Sequence, residues 1–313
     1  MMKYRMQPKK STSLIAQKVL KTYEKNVDSF PKSKQFHFNS RMFLWTRKPR
    51  YKKKIVSLKL KETLLENLEE TMENAKRPTT EYPKRFLSQR KSALEKYPWV
   101  TRYNTLLFKW LFLETLFRTN IRKKVFLTIS KETLRSCTKT LLNDPSSLIA
   151  LSTFGINFLY LTRGILQDTS IFHPKELLEI AKRNYPNTRE YAELSLYFFT
   201  HCIIGESRFY KNPIQNDLDV YVDMIRIAEK TLNKHFASVS LDNKVEFLVT
   251  TELCHTKSSF FERIQKECEQ NFSEKLGYTR EPRKPIERQT LSSEEHRNVL
   301  YIMSNLKFSK NQP

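Results

Sequence analysis

Glycine is the scarcest structural punctuation in this chain, with 4 in 313 residues beside 13 prolines. Tight hairpin turns draw on residues that tolerate positive φ, and phosphate-cradling loops draw on glycine runs. A hairpin-rich sheet is therefore poorly served, and a dinucleotide-binding fingerprint cannot be built. The long apolar segments are instead rich in Leu, Phe, Glu and Lys, and alternating strands are scarce. The expected fold is all-α: an irregular helical bundle or an α/α superhelix of stacked α-hairpins, preceded by a basic, partly disordered N-terminal region. The length allows one large domain or two.

Helix signals are regular from about residue 130 onward. Ser130 can cap "KETLRSCTKTLL", and Asp144-Pro145 supplies a cap followed by proline at the first helical position of "SSLIALSTFGINFLYLTRGIL". His173-Pro174 opens "KELLEIAKRN", and Asn187 with Glu190 resembles a capping box for "YAELSLYFFTHCII". Asp217 or Asp219, Asp242, and Ser258 or Ser259 can start three more. Apolar helices alternate with amphipathic ones, but no residue motif recurs, so helical pairs are expected rather than a repeat family. Upstream, the spacing predicts one helix over 57–76, a linker in "RPTTEYPKRF", and a helix after Pro98. The centre of that last helix, "TLLFKWLFLETLF" (105–117), is apolar nearly all round. It suits a core, with an in-plane membrane helix or a partner groove as alternatives. A final helix near 293–306 can dock through Val299, Leu300, Ile302 and Met303. Four segments result: a basic flexible arm with a possible amphipathic helix (1–54), a helical N-terminal subdomain (55–130), an α-hairpin core (131–276), and a linker with a C-terminal helix (277–313).

The formal net charge of +23 is unevenly spread. Residues 1–54 hold 16 Lys/Arg against 2 acids, residues 55–135 hold 17 against 9, and residues 136–313 hold 23 against 22. In the arm, Arg41, Arg47, Lys48, Arg50, Lys52, Lys53 and Lys54 sit among Phe43, Trp45 and Tyr51, with Pro31 and Pro49 as breaks. An extended, polyanion-binding segment is expected, its cations on phosphates and its aromatics stacked on unpaired bases. Nucleic acid is the partner that fits best; an anionic membrane surface, an acidic protein or a merely solvated tail would suit the same composition. No uncharged run is long enough to span a bilayer, and the start lacks the apolar core of a secretory signal. Four cysteines without CxxC or zinc-finger spacing are expected as reduced thiols in a cytoplasmic protein.

Catalytic candidates are sparse, and the reading leans away from an enzyme. The stretch "YFFTHCIIGESRFY" (197–210) sets His201 and Cys202 in an apolar helix, where an imidazole needs a hydrogen-bond partner. In "ELCH", Glu252 and His255 have the E-x-x-H spacing that helical di-iron proteins use twice; here it occurs once. Glu193, Glu206 and Glu246 could add carboxylates to such a site. A buried site around His201, Glu252 and His255 is the enzymatic or metal-binding alternative, with Glu252 or His255 as the partner of His201. Cys202 beside His201 and Cys254 beside His255 point about 100° apart on a helix, so neither pair is a ready dyad. Asp217, Asp219 and Asp223 fit a helix start better than a Mg²⁺ site. No cofactor is expected.

Overall fold

The computed structural model describes residues 13–76, 88–185 and 188–309. Its helices are α1 Leu14–Asn26, α2 Lys32–Thr46, α3 Pro49–Ser57, α4 Leu60–Glu66, α5 Leu68–Lys76, α6 Ser88–Lys96 and α7 Trp99–Phe117. There follow α8 Arg122–Thr128, α9 Lys131–Leu142, α10 Pro145–Leu151, α11 Thr153–Leu166, α12 Pro174–Asn184, α13 Arg189–Glu206 and α14 Leu218–His235. The chain then forms α15 Leu241–Leu253, α16 Phe261–Gln270, a two-stranded antiparallel ladder of β1 Phe272–Ser273 and β2 Tyr278–Thr279, and α17 Glu295–Asn305. The fold is all-α, as the composition implies. By compactness the chain forms two units, one from Met1–Ile55 with Ser240–Pro313 and the other from Val56–Val239, a different partition from the four segments read along the sequence. The expected linker at 77–86 and the cap at Asn187 lie outside the described residues.

In the unit made from both chain ends, α17 packs against α15, α2 and α1. Val299, Leu300, Ile302 and Met303 are buried as expected, together with Glu295 and Arg297. Here the structure departs from the extended arm. Pro31 occupies the N-cap of α2, and Pro49 is the first residue of α3. At a helix start proline gives up only an N–H that has no intrahelical acceptor, so both prolines begin helices rather than break them. Tyr23 stacks on Phe38 with centroids 5.7 Å apart. Trp45 is fully buried, its Nε1 donating to the Leu306 carbonyl at 3.0 Å and its ring meeting Phe308 edge-on.

In the central unit, α11 packs between α7 and α13, and α13 packs on α14. Leu106, Leu107, Trp110, Leu113 and Leu116 of α7 are buried, so the apolar 105–117 stretch is a core helix. No single described helix is long and apolar enough to cross a membrane. Ser130 accepts from Thr133 N at 3.0 Å and Asp144 from Ser147 N at 3.1 Å. His173 and Glu176 form a capping box ahead of Pro174. Each such cap stabilises its helix by about 1 kcal/mol. Asp217 stands at the start of α14 without capping it through its side chain.

Two helices expected as continuous are interrupted. Over 57–76 breaks fall at Lys59, where φ is 50°, and at Asn67, whose carbonyl also takes Lys109 Nζ at 2.5 Å. Over 145–166 it falls at Ser152, where φ is 47° and the two halves bend by 102°. The buried Ser152 hydroxyl donates to the Leu194 carbonyl at 2.8 Å, a tertiary bond that rewards the bend. In the other unit, Ser240 caps α15 by accepting from Asn243 N at 3.4 Å, and the expected cap Asp242 instead faces His296 and Arg297.

Candidate functional site

The cationic set of the arm lies on a folded support. Tyr51 and Ile55 turn into the unit, and Lys48, Arg50, Lys52, Lys53 and Lys54 stay exposed along α3 and its start. Arg50 pairs with Glu24, which also takes the Tyr51 hydroxyl, and Lys54 pairs with Asp28. Lys52 Nζ lies 5.6 Å from the centre of the Phe43 ring. Lys48 and Lys53 form no ion pair among the described residues. Arg41 and Arg47 are half-buried; Arg47 caps the end of α2 with φ 58°, and burial lowers its pKa. Trp45 and Tyr51 are corrections to the expected stacking role. A ring buried in its own core has no face left for a base.

The second candidate set is divided between the two compact units. His201, half-buried on α13, pairs through Nδ1 with Asn157 Oδ1 of α11 at 2.8 Å. The amide oxygen accepts, so Nδ1 carries the proton. Glu252 and His255 belong to the other compact unit. There α15 ends at Leu253, and His255 has φ 51°. Thr256 N closes the helix on the Thr251 carbonyl at 3.0 Å. The E-x-x-H spacing therefore straddles a helix end and does not stand on one helical face. No group of three or more His, Cys, Asp or Glu among the described residues could hold a metal ion. Burial pushes the Cys202, Cys254 and Cys268 thiols well up and the Cys137 thiol to about 11, which disfavours the reactive thiolate.

The end of the 197–210 stretch builds something the sequence did not announce. Gly205 lies against the Tyr160 ring; a Cβ at 205 would come within 2.5 Å of it. Tyr160 Oη and Tyr221 Oη are 2.9 Å apart, Tyr221 donates to Glu206 Oε2 at 2.6 Å, and Arg163 Nη1 donates to the same oxygen at 2.7 Å. Since Tyr221 uses its proton on the carboxylate, the Tyr160 hydroxyl is the donor in the first bond, giving a directed chain. Burial pushes both phenols well above their ordinary range. Burial lowers the Arg163 pKa, but Glu206, Tyr160 and Tyr221 together outweigh this and hold it above its usual value.

Beyond the helix, Arg208, Phe209 and Tyr210 all have left-handed φ, at 52°, 54° and 70°. Outside glycine this conformation costs on the order of 1–3 kcal/mol per residue. Phe209 N donating to the Ile204 carbonyl at 2.8 Å and Tyr210 N donating to Ser207 Oγ at 2.9 Å hold the turn. A cleft of about 490 Å³ opens between Tyr160, Arg163, Glu206 and this turn, and an adjoining one of about 270 Å³ reaches Trp110 and Arg122. Gly164 and Gly205, two of the 4 glycines, line both. That was the one signal in the sequence that could have led here. Comparison with known family models, curated proteins and solved structures finds no match to this chain.

Proposed function

We propose that this is a non-enzymatic helical interaction protein whose N-terminal cationic face docks on nucleic acid through the phosphates. The observation that carries the reading is α3, which seats Tyr51 and Ile55 inside and leaves Lys48, Arg50, Lys52, Lys53 and Lys54 outside. Cations carried on a packed helix are already ordered, so binding immobilises little backbone. The buried rings of Trp45 and Tyr51 argue for phosphate binding over base stacking, hence weak sequence preference and strong salt dependence. A membrane surface is the poorer fit, because Val56 is the one large apolar side chain that α3 exposes for insertion.

The test is a titration of the full chain with a DNA duplex and an RNA single strand at two salt concentrations. It is repeated with Lys48, Lys52 and Lys53 all replaced by alanine. Deleting the arm would be a poor control, since α1–α3 carry core residues. Removing one lysine–phosphate pair lowers the slope of log K against log salt by roughly 0.7–0.9, so the triple variant is expected to lose roughly 2.1–2.7 units. Affinities that ignore both salt and the substitutions would sink the proposal.

A further inference from the structure

We propose that the double cleft beside Gly164 and Gly205 binds a small phosphorylated sugar or polyol. The two compartments share Tyr160, Gly164, Gln167, Gly205 and Arg208; the larger, about 490 Å³, has the size of a small-ligand site, and the smaller, about 270 Å³, extends it.

Their linings differ in a way that selects a ligand. The larger compartment is walled mainly by the amides Gln167, Asn212, Gln215 and Asn216, with Glu206 and its partner Arg163 and with Arg208 at the side it shares with the smaller one. The amides both donate to and accept from hydroxyls, and the carboxylate accepts. Glu206 is already aimed: Arg163 and Tyr221 hold its Oε2, while Oε1 accepts no hydrogen bond among the described residues. An anchored carboxylate with one open oxygen is an acceptor for a ligand hydroxyl, and its position costs nothing further on binding. The smaller compartment is lined by Arg122, Arg208 and Lys211 against a single acid, Glu114. That excess of cations suits a phosphate. Two donors on its lining residues, Trp110 Nε1 and Arg122 Nε, have no hydrogen-bond partner among the described residues.

The strained turn supports the same reading. Arg208 is exposed, forms no ion pair among the described residues, and holds φ 52° where glycine would be at ease. A bulky cation kept at such a position is stability given up for placement, and Arg208 lines both compartments. The ligand would lie with its phosphate toward Arg208 and its hydroxyls toward Glu206. This inference is independent of the cationic face on α3.

Calorimetric titration of the full chain with ribose phosphate, free ribose and inorganic phosphate tests it. Ribose phosphate is expected to bind about tenfold or more tighter than either fragment, since each charge-assisted or polar anchor contributes about that factor. Arg208→Gly relieves the left-handed strain, so the variant should fold at least as well while losing about tenfold in ribose phosphate affinity. Arg208→Lys should recover part of the loss. Glu206→Gln should weaken ribose phosphate and leave inorganic phosphate unchanged. The alanine variant of Lys48, Lys52 and Lys53 should bind ribose phosphate as the parent does. Ribose phosphate no tighter than inorganic phosphate, or affinity insensitive to Arg208→Gly in a folded protein, would overturn the proposal. So would loss of the binding in the α3 variant, which would place the phosphate on the basic face.

Discussion

Helices α17 and α11 are both almost wholly buried, yet they are buried by different physics. Along α11, Ile156, Phe158, Leu159, Leu161 and Ile165 meet apolar neighbours on α7 and α13, and the polar residues inside are neutral. Along α17, Glu295 and Arg297 are as deeply buried as the leucine between them and the helix end. Arg297 pairs with Glu294, reaches Glu281 and Asp242 at 3.4 Å each, and donates to the Thr279 carbonyl at 3.2 Å. His37 Nδ1 lies 2.7 Å from the Glu295 carboxylate, with the His296 ring 5.4 Å from that of His37. An apolar core asks only for shape and volume, and tolerates repacking. A core of buried charges and polar groups asks that each find its partner, and its members fail together.

The largest break in that contrast should come from Arg297→Met. It keeps bulk but takes the guanidinium from Glu281 and Glu294, which then keep Arg283 and Lys284 as their cations, so the unit is expected to lose about 3–5 kcal/mol in urea unfolding. Adding Glu281→Gln and Glu294→Gln should return much of the loss. A single variant that unfolds with the parent would mean that the cluster is not coupled.

Acidity sharpens the contrast next. Burial, against the pull of Arg41, His296 and Lys34, raises the Glu295 carboxyl from 4.5 to about 7. Burial, helped by Arg41, His296 and Lys34, drives His37 well below its ordinary 6.5. Both shifts favour a neutral pair. Glu295 keeps a proton in the fold that the unfolded chain has lost, so its contribution is present below 4.5 and fades as pH rises to 7, by about 3 kcal/mol. His37 runs the other way, since protonation of the unfolded chain costs stability as pH falls below 6.5. Burial raises the Asp242 pKa, but His296 and Arg297 outweigh it and bring it from 3.8 to about 2, so its contribution is present above 3.8 and is lost as pH falls to 2. Denaturation midpoints between pH 5 and 6.5 should rise with pH in Glu295→Gln and fall with pH in His37→Gln. Parallel profiles in the two variants would remove the pair from the explanation.

The smallest effect belongs to the apolar unit. Gly205→Ala places a methyl against Tyr160 and should cost about 1–3 kcal/mol, with no pH dependence of its own. Thermal unfolding at two pH values reads both halves of that statement, and a midpoint equal to the parent's would show that Tyr160 can move aside.

What was legible along the chain were features whose partners lie within one helical turn. The caps at Ser130, Asp144-Pro145 and His173-Pro174 join residues two or three apart, and local chemistry decides them. The all-round apolar centre of α7 and the apolar run of α17 likewise announce burial, because such surface has no water-facing side to occupy. The candidate site was legible only in fragments. The cations of α3 were visible as a cluster, but that Pro31 and Pro49 would start helices, and that Trp45 and Tyr51 would be buried, depended on packing. His201 was read as needing a partner, and Asn157 proved to be it, 44 residues away.

By itself the sequence determined an all-α chain, the helix starts and the concentration of positive charge at one end, all of which follow from residue type and spacing of a few positions. Only the tertiary structure decided the bend at Ser152, the unwinding at His255, the tyrosine–carboxylate chain at Glu206 and the pairing of His37 with Glu295, 258 residues apart. Except at His255, where the closing bonds are local, each of these is an exchange in which a distant group satisfies a buried polar atom, and no local pattern states which distant group will arrive.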